Sequence, residues 1–568
     1  MAQATPFDTP GTPRSSGQSF DAPVPRRWWA LIATCFGLFM ALLDVTIVNV
    51  ALPTIGDDLN ASFADLQWII NAYALALAVL FVTAGRLGDI FGRKRIFMIG
   101  LGLFSLGSLL CALAGSIQVG TLAPIDVLIG ARALQGIGGS IMLPLSLAII
   151  SNTFHGRERG AAIGIYGGVT GLATAIGPLV GGILVEKVSW QSIFYLNVPI
   201  GAVGILLTAW AVRESRDEQA PRSVDVFGLV TLTIALFCLV LALIQANDAD
   251  KGWTSPYILM LFAISAIALI IFVIGELRLR NPMVDPRIFL IPSYTGAAIV
   301  AFAISAGLFS LFFFLTLYLQ NFLGFSALDA GIRFLPLSGL VLVTAPLAGV
   351  LTHRLGAKPI LFVGMAVLTI AVLLMTRISP TDTQTDWLVL LPAFVLGGLG
   401  SGLVNPPIAD VAVGTLPPER AGMASGVNGV CRQLGIAFGI ALLGAVLSSQ
   451  YNSAIHDKVS ALQFDHLPAA QQASIKQSII QGIQQAGTFA GSTGFRQLPP
   501  QYAQFANQPN FPAIQQIVQQ AFIDGLVDIL RIAAVILAVG ALAALLLVRK
   551  RDMLEHVPGE EPVASVGG

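Results

Sequence analysis

The sequence predicts an all-α polytopic membrane protein with fourteen transmembrane helices and both termini in the cytoplasm. Its composition, its long apolar runs and a lopsided distribution of basic residues each point there. Of 568 residues, 55% are hydrophobic and 11% are charged, against about 25% charged in a soluble globular protein. So few charges cannot cover a soluble fold of this size, and lipid must be the main solvent. A soluble enzyme, a disordered chain and a nucleic-acid binder are excluded. The net charge is zero, which says nothing about partners.

A helical span takes about 20 apolar residues, and lipid offers the backbone no partners other than its own helix. The runs cover about 28–52, 66–85, 95–115, 122–150, 160–185, 192–212, 225–245, 256–276, 292–320, 330–352, 358–376, 387–414, 421–448 and 525–548. With the N-terminus inside, cytoplasmic segments hold 21 Lys and Arg and external segments hold 6. That is the asymmetry of the positive-inside rule, and one missed span would reverse it for half the chain.

Residues 1–27 are rich in Ser, Thr and Pro, carry no cleavable signal, and read as a disordered cytoplasmic tail; 549–568 form a second tail. The loop over 449–521 is external and Gln-rich, with 16 Gln from Gln450 to Gln520. Its periodic stretches at 469–486 and 511–522 suggest short amphipathic helices that cap or space the last two spans, with a substrate gate or partner-docking site as the alternative. Cys35, Cys111, Cys238 and Cys431 each stand alone in apolar runs. No disulfide framework, metal site or cofactor is expected.

The chain repeats itself. Gly85–Ile96 aligns with Gly349–Ile360 at an offset of 264, and Glu158-Arg159 aligns with Glu419-Arg420 at 261. The expected organisation is a six-helix bundle over 28–212, a linker with two inserted spans over 213–291, and a second six-helix bundle over 292–548. Two like-oriented bundles are a transporter signature, with a small-molecule site between them. The repeat fails where the charges are: Asp89, Arg93 and Arg132 face His353, Ala357 and Ala393. Polar chemistry is therefore concentrated in the first half.

Asp44 lies nine residues before Pro53 in the first span, and Arg132 lies eight residues after Pro124 in the fourth. At 1.5 Å per residue both are roughly 12–13 Å deep from the outer end. An acid and a base at one depth can pair, and either alone is expensive in lipid. A proton-linked switch and a fixed ion pair are both open from this spacing. Gly85, Asp89, Gly92 and Arg93 lie on a short cytoplasmic turn, with Asp89 and Arg93 spaced to pair as a latch. In the fifth span Gly177, Pro178, Gly181 and Gly182 combine a helix breaker with small residues, for a kinked, close helix contact.

On these motifs the chain resembles the major facilitator superfamily. Gly85–Arg95 resembles its signature loop, Leu128–Gly136 its buried-arginine motif, and Gly177–Gly182 its antiporter motif. Leu43–Pro53, Trp190–Gly201 and Asn428–Gly435 resemble the fourteen-span drug:proton antiporters, relatives of QacA and EmrB. The resemblance implies the major facilitator fold and proton-driven efflux, with Asp44 and Arg132 in coupling.

Asn49, Asn428 and Arg432 are further polar cavity candidates. Phe309, Phe313 and Tyr318 of the aromatic ninth span are substrate-cavity candidates, and they favour lipophilic or aromatic cargo. Beyond Asp329 the tenth span has no carboxylate, so a strong preference for dications is not expected. No phosphate loop for ATP is present. The expected function is proton-coupled multidrug efflux by a monomer in the bacterial cytoplasmic membrane. Its partners are small-molecule substrate, protons and the lipid bilayer. A dedicated exporter of one metabolite, lipid or antibiotic is the alternative. Uniport or import, and a transport-inactive receptor, fit the retained motifs less well.

Overall fold

A computed structural model describes residues 24–116, 122–154, 156–216, 225–246, 252–279, 282, 284–416, 421–462, 472, 474, 476–481, 483 and 511–553. Of the expected tails over 1–27 and 549–568, residues 1–23 and 554–568 lie outside the described residues, as does most of the Gln-rich loop, whereas 24–27 are not tail but the first turn of the first helix.

Every apolar run is helical, because a helix satisfies its backbone within one segment. The first half holds α1 (Val24–Leu59), α2 (Phe63–Phe91), α3 (Arg93–Leu113), α4 (Pro124–Thr153) and α5 (Gly156–Lys187). The short α6 (Ser192–Tyr195) and α7 (Asn197–Ala211) complete it. Next come α8 (Val226–Gln245) and α9 (Pro256–Arg278). The second half holds α10 (Pro292–Ile304), α11 (Leu311–Leu317), α12 (Ala327–Leu355), α13 (Ala357–Met375), α14 (Leu391–Gly414), α15 (Ala421–Ala461) and α16 (Phe511–Leu547).

Among the described residues, 13 helices or continuous helical stretches are long and apolar enough to cross a membrane. The expected fifth span falls in α5, a helix of 32 residues.

Packing separates two bundles. α1 packs on α4, α5 and α7, and α3 and α2 pack on α4; α14 packs on α12 and α13, and α16 on α10, α13 and α15. The bundles meet along α5–α12 and α2–α15. Glycines permit the closest approaches. A Cβ on Gly107 of α3 would lie 2.7 Å from the Gln135 backbone nitrogen of α4, a distance no real Cβ keeps.

The repeat is visible in the backbone. Gly92 ends α2 with φ of 108°, and Gly356 ends α12 with φ of 84°. Both are in the positive-φ range that glycine tolerates. We call the ends of the bundle carrying these two turns the loop end, and the opposite ends the far end.

The inserted α8 lies in the groove between α2 and α15. Its Leu232, Leu236 and Val240 are buried with Ala74, Leu75 and Val79 of α2 and Val427 and Ala437 of α15. α9 lies outermost, 28% buried over its most apolar window, whereas Pro292–Phe322 is 83% buried. The ninth span is thus central, and it is not one regular helix: π-helical turns at Ser305–Phe309 and Tyr318–Phe322 interrupt it.

At the far end two expectations change. The periodic stretch at 511–522 is not a separate short helix; it is the start of α16, which runs unbroken into the last span. α15 likewise continues past the expected limit at 448 to Ala461. Tyr451, Ile455 and Val459 of α15 are buried with Ile514, Val518 and Phe522 of α16. Ile479, Ile480 and Ile483, from the helical part of 469–486, close the same cluster. Apolar residues four apart on facing helices explain why they extend together beyond the spans.

Candidate functional site

The first bundle encloses a buried charge pair. Asp44 on α1 and Arg132 on α4 are each 1% exposed, and Arg132 Nη1 donates to Asp44 Oδ2. The second carboxylate oxygen, Oδ1, accepts from Gln135 Nε2 at 2.7 Å and from Asn197 Nδ2 at 3.5 Å. Gln135 lies one helical turn from Arg132, and its own oxygen accepts from Arg132 Nη1 at 2.6 Å. Ser108 Oγ on α3 accepts from Gln135 Nε2 at 2.7 Å and Asn197 Nδ2 at 3.2 Å.

Arg132 is held from other sides as well. Its Nε donates to the Ile69 carbonyl of α2 at 3.0 Å. Its guanidinium lies over the Tyr73 ring, 4.4 Å from the centroid. A buried ion pair is tolerated only when its remaining donors and acceptors are satisfied, and here α2, α4 and α7 supply partners.

The Trp190–Gly201 motif is built around this pair. Trp190 Nε1 donates to Asp58 Oδ2 at 2.7 Å, fixing the entry to α6 and α7. Leu196 keeps helical backbone angles between α6 and α7, and Asn197 at the start of α7 is set against Asp44 and Ser108. Gln135, Ser108 and Asn197 were assigned no role from sequence. Gln135 and Asn197 stand inside quoted motifs, and the signal for them is an amide buried in an apolar helix.

The loop-end turn forms the expected pair: Arg93 Nε and Nη2 lie 3.0 and 2.9 Å from Asp89 Oδ1. Glu214, just past α7, reinforces it. Its carboxylate accepts from the Lys94 and Arg95 backbone N–H groups at 3.1 and 3.3 Å, capping α3. The turn expected over Gly85–Arg95 is shorter than that: Gly85 and Asp89 lie within α2, Gly92 alone separates α2 from α3, and a Cβ on Gly92 would meet the Glu214 carboxylate at 2.6 Å.

Gly177, Pro178, Gly181 and Gly182 lie where α5 contacts both bundles. Cβ atoms on Gly177 and Gly181 would strike Thr46 and Ile47 of α1, and one on Gly182 would strike Leu328 of α12. The remaining candidates do not join the charge pair. Asn49 is half-buried and donates to Val45 O at 2.8 Å within α1. Arg432 donates to Asn405 Oδ1 between α15 and α14. Asn428 is buried, and its amide nitrogen has no partner among the described residues.

Phe309 is half-buried and stacked on Phe312 with centroids 6.4 Å apart. Phe313 and Tyr318 are buried, and the Tyr318 hydroxyl donates to Asp382 Oδ2 at 2.9 Å. Among the described residues no group of three or more His, Cys, Asp or Glu side chains is placed to hold a metal.

Two helical bundles meeting on long seams, with an ion pair sealed inside one of them, define a membrane transporter rather than an enzyme. The chain belongs to the Major Facilitator Superfamily, whose pattern matches residues 34–440. It is a multi-pass plasma membrane protein. It is 35% identical over 549 residues to the tetracenomycin C resistance and export protein of Streptomyces glaucescens, covering 96% of each chain. It is 30% identical over 528 residues to the multidrug transporter protein MdtP of Bacillus subtilis, covering 92% of this chain and 93% of that one. The crystal structure of a bacterial homologue of the human lysosomal transporter Spinster, in an inward-facing and unoccupied conformation, shares the fold. Its TM-score is 0.58 at 17% identity, over 94% of this chain and 100% of that one.

Proposed function

We propose that this protein is a proton-coupled antiporter that exports lipophilic and amphiphilic compounds across the cytoplasmic membrane, with Asp44 as the proton site and Arg132 as its counter-charge. The loop end faces the cytoplasm and the far end faces outward, as the distribution of basic residues requires. The observation that carries the reading is the sealed Asp44–Arg132 pair, whose carboxylate has ready-made amide partners in Gln135 and Asn197. When Asp44 is protonated, Arg132 keeps the Ile69 carbonyl, the Gln135 oxygen and the Tyr73 ring. The first bundle can therefore switch between two satisfied arrangements, which is what coupling to a bundle motion needs.

Cargo binds between the bundles, along faces that include Asn49, Phe309 and Arg432. The multidrug and antibiotic-export relatives support cargo of this class. The nearly full-length match to an export protein for one antibiotic favours a second reading, a dedicated exporter with the same mechanism. Dye and antibiotic transport into inside-out vesicles, with and without a proton uncoupler, tests the proposal. Uptake that collapses with uncoupler supports it, and uptake indifferent to the proton gradient sinks it. Breadth of cargo separates the two readings.

A further inference from the structure

The antiporter motif brings α5 unusually close to α12, and one charged side chain uses that approach. A Cβ on Gly182 would lie 2.7 Å from the Ala327 carbonyl oxygen and 2.9 Å from the Leu328 nitrogen. A Cβ on Gly331, one turn further along α12, would strike the Pro178 carbonyl. The two bundles therefore touch backbone to backbone at the far end. One turn beyond Gly182, the Glu186 carboxylate reaches across and accepts from the Leu328 backbone N–H at 3.3 Å.

Leu328 is in the first turn of α12, where an N–H group has no acceptor within its own helix. The N-cap Ser326 hydroxyl is taken by Asp329 N at 3.1 Å. Glu186 thus supplies the missing acceptor from the other bundle, and places a negative charge at a helix N-terminus, where it is favoured. A second bond crosses nearby, from Gln320 Nε2 to the Val50 carbonyl of α1 at 2.9 Å.

We infer that Glu186 is a positioning residue of the transport cycle, a latch that holds the far ends of the two bundles together and is released when that side opens. This rests on the alternating motion proposed above. Lys187 on its own helix lies 2.9 Å away, and at the start of α12 Arg333 pairs with Asp329 at 3.2 Å. Hydrogen bonding from Ser326, and then from Lys187, lowers the Glu186 pKa. It stays ionised in neutral solution, so the latch yields to bundle motion and not to proton binding.

Spin labels at Val188→Cys and Thr385→Cys, both exposed, report the distance between the far ends. The full-length protein is used in liposomes, with Cys35, Cys111, Cys238 and Cys431 replaced. Losing an exposed charge-assisted bond should raise the long-distance population about threefold in Glu186→Ala. Glu186→Gln keeps an acceptor and should fall between that variant and wild type. Gly182→Ala wedges the same contact apart, and the Gly182→Ala/Glu186→Ala double variant should match Gly182→Ala alone.

A wild-type distance distribution in Glu186→Ala overturns the latch, as do additive shifts in the double variant. The distance measurement needs no substrate or gradient. Uncoupler-insensitive transport by the wild type would sink the antiport reading while leaving the latch result standing.

Discussion

The Gln135 amide nitrogen lies 2.7 Å from Asp44 Oδ1, the carboxylate oxygen that Arg132 leaves free. The charge pair is therefore not an isolated bond between two helices. Gln135 touches both charges, giving its nitrogen to Asp44 and its oxygen to Arg132. A side chain that holds both members can follow a change in the charge of either, so the site need not come apart when one is neutralised.

Asp44→Asn should insert at close to the wild-type level and lose proton-driven efflux. Removing one member of a buried pair costs about 3–5 kcal/mol where the survivor is stranded. Here Ile69, Gln135 and Tyr73 still hold Arg132. The melting temperature should fall, and Asp44→Asn/Arg132→Gln should recover part of the loss while remaining inactive. Thermal melts and vesicle efflux at matched abundance measure both. Wild-type efflux by Asp44→Asn would remove Asp44 from the mechanism.

Gln135→Leu should slow efflux at least about tenfold, since a buried hydrogen bond to a charged group contributes about 1.5–3 kcal/mol. Ser108→Ala should cost less, because the Ser108 hydroxyl touches the two amides and not the charges. Initial rates for the two variants decide the order. A larger loss for Ser108→Ala would show that packing, and not charge positioning, governs the cluster.

The charged core of this site was legible in the sequence because depth in a helix is simple arithmetic. Asp44 and Arg132 fall at one level, and they meet. Asp89 and Arg93, four residues apart in the turn, also meet. The repeat was legible as well, down to Gly92 and Gly356 at equivalent turns. What lay beyond reach was direction. Nothing in the sequence says that the Asn197 amide points at Asp44, or that the Tyr318 hydroxyl reaches Asp382 in a loop between α13 and α14. The seat of α8 over the α2–α15 groove was hidden for the same reason: a helix apolar all round shows no preferred face.

At the loop end, Asp89→Asn should slow transport far more than His353→Ala. Asp89 accepts from Arg93 Nε and pairs with its guanidinium, and that arginine opens the helix which Glu214 caps. The equivalent turn in the second half has Ala357 in place of Arg93 and so has no such pair to lose. Initial efflux rates measured side by side test this. Equal losses would mean that the two turns share the load.

The far-end helical extension gives the last prediction. Replacing 463–510 with a short Gly/Ser linker leaves α15, which ends at Ala461, and α16 from Phe511 intact. It removes Ile479, Ile480 and Ile483 from the buried cluster, but keeps Tyr451, Ile455 and Val459 packed on Ile514, Val518 and Phe522. Loop closure changes slowly with length, so joining the two helices more directly costs little. Burial of a large aliphatic side chain contributes about 1.5–3 kcal/mol, so the shortened protein should melt earlier and still insert. A deeper cut over 457–509 also takes Val459, and should melt earlier still. Phe522 stacks on Phe322 with centroids 6.0 Å apart, and Phe322 ends the ninth span. The shallow cut leaves that stack untouched, so efflux should persist in it. Expression, melting and efflux of several unrelated dyes decide the matter. Normal insertion with no transport of any dye would make the removed segment part of the transport path, and a capping or spacing role for it would be wrong.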